Sequence, residues 1–84
     1  MTTISFKYKE YSHPISVQRV EKDGRTYYDV NFIKKVENVQ EIISLNGPLR
    51  FDEKGYGPKA KSMAGINLLI SMWKTIDRHF HSTS

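Results

Sequence analysis

Lys22-Asp23-Gly24-Arg25 constrains this chain more than any other four residues. An Asp-Gly pair supplies two backbone positions with φ > 0, and a two-residue type I′ turn built on them matches the twist of the strands at its ends. The flanks are strand-like: Ile15 and Val17 lead in, and Thr26-Tyr27-Tyr28-Asp29-Val30-Asn31-Phe32-Ile33 leads out. Period-two alternation turns Tyr28, Val30 and Phe32 to one side and Tyr27, Asp29 and Asn31 to the other. A β-hairpin is therefore expected here, and 84 residues allow one domain, 1–84, around it. The chain has no Cys, so neither a disulfide nor a Cys-ligated metal is available to hold that domain. The 38% of hydrophobic residues must supply the core.

An earlier strand is read from Ile4, Phe6 and Tyr8, which alternate with Ser5, Lys7 and Lys9. Tyr11-Ser12-His13-Pro14 is expected to break it, because Pro14 cannot donate to a ladder and restricts His13. In the next strand Val20, not Arg19, follows Val17 as the apolar residue, which predicts either a bulge near Gln18–Arg19 or a strand covered on both faces. Residues 34–53 carry two readings. Val36, Val39, Ile42 and Ile43 have helical spacing, yet β-branched Ile42-Ile43 also suits a strand from Glu41 to Leu45. We favour the strand, followed by a turn at Asn46-Gly47-Pro48 and a short extended Leu49-Arg50-Phe51.

After a loop from Asp52 to Gly57, Gly57-Pro58 is read as a helix start with Pro58 at the first helical position. At 100° per residue, Ile66, Leu69, Ile70, Met72, Trp73, Ile76 and Phe80 fall within an arc of about 160°. Leu68 lies on the polar side and is expected to be exposed, and Gly65 is explained if helix and sheet approach closely. The helix is expected to end near His79–His81, with Ser82-Thr83-Ser84 frayed. The fold class is therefore α+β: a curved antiparallel sheet of three to four strands packed against one long C-terminal helix.

The net charge is +4, and it is unevenly placed. Over residues 1–53 the basic side chains are balanced by acidic ones; over 54–84, Lys54, Lys59, Lys61, Lys74 and Arg78 face Asp77 alone. An anionic partner suits that end, either nucleic acid, single- or double-stranded, or an acidic protein surface. An ordinary solubility charge is the bland alternative. In Lys54-Gly55-Tyr56-Gly57-Pro58-Lys59-Ala60-Lys61, lysines at a helix start go against the usual preference for acids, and a bound phosphate would resolve the conflict. The same lysines simply pointing into water would need no ligand. A second surface is the polar sheet face, where Lys7, Lys9 and Arg19 would surround Tyr27 and hold phosphates beside a stacking ring. The candidate nucleic-acid-binding residues are thus Lys54, Tyr56, Lys59, Lys61, Lys7, Lys9, Arg19 and Tyr27.

Catalytic and cofactor motifs are not found. There is no Walker A loop, no G-x-G-x-x-G and no G-x-S-x-G, and His13, His79 and His81 have no spacing of a metal site. The expectation is a binding protein rather than an enzyme, with no cofactor and no metal. No segment approaches the roughly 18 apolar residues of a membrane span, and the N-terminus lacks an apolar signal region, so no membrane partner and a cytoplasmic location are expected. Free sheet edges and the wide apolar helix arc are compatible with a homodimer. The two function classes to separate are a small nucleic-acid-binding module and a protein-interaction or inhibitor module of accessory, phage or mobile-element type.

Overall fold

Asp23 (φ 54°) and Gly24 (φ 75°) both take left-handed backbone, closing the expected hairpin between strands β2 (Tyr11–Lys22) and β3 (Arg25–Phe32). In the computed structural model, which describes residues 2–45 and 49–81, β1 (Thr2–Tyr8) and β4 (Leu49–Asp52) extend this hairpin to an open antiparallel sheet in the order β1-β2-β3-β4. A one-turn helix α1 (Val39–Ile42) lies between β3 and β4, and α2 (Met63–His81) is the C-terminal helix. The architecture is α+β, as the patterning predicts. The Asn46-Gly47-Pro48 turn and the fraying at 82–84 fall outside the described residues.

Three local expectations change. The first strand does not end at Tyr11–Pro14. It turns at Lys9 (φ 51°) and Glu10 (φ 68°), and β2 runs unbroken from Tyr11. Neither residue is a usual choice for positive φ, so the turn carries no sequence signal. Pro14 is tolerated inside β2 because its carbonyl accepts Ile33 N–H at 3.2 Å, which turns its ring nitrogen toward the side where β3 has ended. No bulge interrupts β2 either: the register runs from Ile15↔Phe32 to Lys22↔Arg25 without a slip. Val20 stands on the outer sheet face opposite Tyr27, where that neighbour half-covers it. Finally, 36–45 is not the favoured strand. It forms α1, and then Ile43 makes a single bridge to Ala60.

The inner sheet face contributes Phe6, Ile15, Val17, Tyr28, Val30, Leu49 and Phe51 to the core, and α2 contributes Leu68, Met72 and Ile76. The sheet curves round the helix. On one flank the Ser71 hydroxyl donates to the Lys7 carbonyl of edge strand β1. On the other, Trp73 packs on Phe51 of β4, with ring centroids 5.6 Å apart. Tyr28 reaches the helix end, its hydroxyl 2.9 Å from His81 Nε2.

The orientation of α2 differs from the sequence reading. Leu68 is fully buried, whereas Ile66 and Ile70 are 43% and 48% exposed. At 100° per residue the buried stripe Gly65, Leu68, Met72, Ile76 is rotated by roughly 70–80° from the centre of the apolar arc. The cause is long-range. Gly65 is packed on the Ile42 carbonyl, where a Cβ would overlap the oxygen. That close approach is with the end of α1 rather than with the sheet, and it turns Leu68 inward.

The helix also starts later than Gly57-Pro58 suggests. Residues 59–61 are engaged by the chain around Ile43: Ser44 N–H donates to the Lys59 carbonyl and Lys61 N–H to the Ile42 carbonyl, each at 2.7 Å. Backbone committed to that pairing cannot be helical, so α2 begins at Met63. Ser62 is its N-cap, with the Ile66 N–H on its carbonyl and the Gly65 N–H 3.4 Å from its hydroxyl. Ser62→Ala is expected to cost about 0.5–1 kcal/mol of stability, measured by denaturant unfolding.

Candidate nucleic-acid interface

The helix starts beyond the lysines that the sequence reading places in its first turn. Lys59 and Lys61 precede α2 and do not sit in its first turn. Lys61 Nζ donates to the Gln40 carbonyl at 2.8 Å, so this lysine fastens α1 to the chain before α2. The conflict between lysines and a helix dipole therefore disappears, and with it the reason to place an anion there.

The sheet residues also disperse. Side chains alternate across a strand, so Arg19, paired with Tyr28, points to the helix-covered side. There it reaches Glu21 at 3.3 Å, away from Tyr27. Lys9 is in the β1–β2 turn with its ammonium 5.4 Å from the Tyr8 ring centre. Lys7 is on the outer face, but at the edge strand, two strands removed from Tyr27.

What the fold does assemble is one corner of the outer face. Lys54, Tyr56 and Tyr27 line one cleft of about 310 Å³ together with Arg25, Thr26, Asp52 and Glu53. These residues come from the start of β3 and from the loop after β4, brought together because Tyr27 pairs with Asp52 in the ladder. The loop has defined geometry. Asp52 Oδ1 accepts the N–H groups of Lys54 and Tyr56, both at 2.9 Å, and the Asp52 carbonyl accepts Gly55 N–H at 3.1 Å. Gly55 has φ 93°, and the Trp73 indole occupies the space of its missing Cβ, so only Gly fits this turn.

Within the cleft Arg25 and Lys54 stand against Asp52 and Glu53, and the cationic surplus of the corner comes from Lys22 beside it. Arg50 donates to both carboxylate oxygens of Asp29, at 2.5 and 3.0 Å, and lies 5.2 Å from the Tyr27 ring centre. The hydrogen bond to Asp29, helped by its charge and opposed by desolvation, raises the Arg50 pKa above its usual value. Asp29 is thus paired, and Asp52 is used by backbone N–H groups. Arg25 and Lys54 in the cleft, and Lys22 opposite Arg25 in the ladder, remain exposed; Glu53 is an exposed acid on the same rim. Arg25, Lys22 and Arg50 were not among the sequence candidates. The signal for Lys22 and Arg25 was present, since the hairpin register puts both on the Tyr27 face. Arg50 needed the β3–β4 pairing, which no local pattern specifies.

A second depression, about 590 Å³, lies between the β1–β2 turn and residues 35–42. Lys9 and Lys35 there are matched by Glu37 and Glu41, so it prefers neither sign of ligand. Among the described residues, no three His, Asp or Glu side chains come together as a metal site, and no helix is long and apolar enough to cross a membrane. Comparison with protein-family models, curated proteins and solved structures finds no match to the chain.

Proposed function

We propose that the chain is a small nucleic-acid-binding module that takes a single-stranded segment on the outer sheet face, at the corner formed by β3, β4 and the loop after β4. The observation that supports this reading is the convergence of Tyr27, Tyr56, Arg25 and Lys54 on one cleft from two distant parts of the chain. Unstacked bases suit tyrosine rings, and the Arg50 plane over Tyr27 offers a further stacking surface. Lys22, Arg25 and Lys54 are the exposed cations available there to meet phosphates.

The test is a salt titration of binding to single- and double-stranded DNA and RNA. Affinity for the single strand should fall with log salt by about 0.7 per phosphate neutralised. Tyr27→Ala should cost about 1–3 kcal/mol of binding. Lys54→Glu should weaken binding across all sequences and flatten the salt slope, while Glu53→Gln should strengthen it. Absence of binding at low salt, or affinity indifferent to Tyr27 and Lys54, refutes the reading.

A further inference from the structure

The helix layer carries an apolar surface that the core does not use. Besides the buried stripe, α2 presents Met63 (70% exposed), Ile66 (43%) and Ile70 (48%), one after another at i, i+3 and i+7. Together with Tyr56 (72% exposed) and Pro58 of the preceding loop and the half-buried Trp73, Ile66 and Ile70 form a trough of about 360 Å³. The wide apolar arc of the sequence is therefore two faces, one spent on the sheet and one left open.

We propose that this trough docks an amphipathic segment of a partner protein that presents bulky apolar side chains beside Asp or Glu. Charge identifies the occupant. Lys74 lines the trough and is its one charged lining residue; near it in sequence stand Lys54, Lys59 and Arg78 against Glu53 and Asp77, with Asp52 bonded to its own loop's backbone. An apolar anchor flanked by carboxylates satisfies both the trough and its rim. A second copy of this chain does not: packed trough to trough, it brings a second Lys74 and no lining carboxylate to meet it. The site is distinct from the nucleic-acid corner. Tyr56 borders both, but Ile66, Ile70 and Lys74 belong only to the trough.

The experiment selects peptides of about 16 residues from a random library on the immobilised full chain, then titrates the winners against Trp73 fluorescence. Trp73 is the single tryptophan, so its emission reports this trough directly. Expected are winners that combine Leu, Ile, Phe or Trp with Asp or Glu, a change of Trp73 emission on binding, and an affinity that weakens with salt. Ile70→Asp should weaken them at least about tenfold, as for a central anchor. Lys74→Glu, at an exposed position, should weaken them several-fold, and Tyr27→Ala should leave them unchanged. The proposal is overturned by failure to enrich any peptide, by neutral or basic winners, or by binding indifferent to Ile70→Asp and Lys74→Glu. It is also overturned by a dimer in sedimentation that Ile70→Asp dissolves, which would make the occupant a second copy.

Discussion

Gly65→Ala is expected to destabilise the protein by about 2–3 kcal/mol, although helix propensity alone predicts a gain of about 1 kcal/mol. The sign is decided by what stands against the glycine. A Cβ there would overlap the Ile42 carbonyl oxygen and come within 3.2 Å of the Ala60 Cβ. The carbonyl is not free to retreat. It accepts Lys61 N–H at 2.7 Å and adjoins the Ile43–Ala60 bridge, so moving it loosens the connection between α1 and the approach to α2. Overpacking against backbone is relieved only by backing the helix away, which uncovers Leu68 and Met72. With about 4–8 °C per kcal/mol for a domain of this size, the melting temperature should fall by roughly 10–20 °C. A variant as stable as the parent, or more so, would show that α2 does not rest on Ile42.

Leu68→Ala should cost about 2–5 kcal/mol, and Ile70→Ala should change stability by no more than about 0.5 kcal/mol. Both are aliphatic residues of one helix, two positions apart, and the helical wheel ranks them the other way round. Leu68 is fully buried, and removing its side chain leaves a cavity bounded by sheet and helix. Ile70 is 48% exposed and gives up little buried surface. The pair measured together by denaturant unfolding reads the rotation of α2 without a structure. For a small domain whose total stability is on the order of 5–10 kcal/mol, the loss at Leu68 brings it near the folding threshold.

Much of the sheet was legible because its signals act over a few residues. The alternation of Ile4, Phe6, Tyr8 and of Tyr28, Val30, Phe32 assigned faces correctly, and Asp23-Gly24 fixed the central register. The fourth strand was harder, since Leu49-Arg50-Phe51 is short and gains its partners only by pairing with β3. The candidate site was read in part. Tyr27, Lys54 and Tyr56 do meet, but Lys9 and Arg19 were misplaced by a turn without the usual residues and by a side chain on the opposite face of β2. Lys59 and Lys61 were placed in a helix that residues 59–61 cannot join.

The sequence by itself determined the hairpin, the polarity of the strand faces, the presence of a long C-terminal helix and the basic bias of residues 54–84. Each follows from turn dihedrals, side-chain period or composition, which are local. Only the tertiary structure decided where α2 begins, which of its faces is buried and which cations stand beside Tyr27. Those outcomes depend on the bridge of Ile43 to Ala60, the seat of Gly65 on Ile42 and the pairing of β3 with β4. Each joins residues about 17 to 25 apart along the chain, beyond the reach of any local pattern.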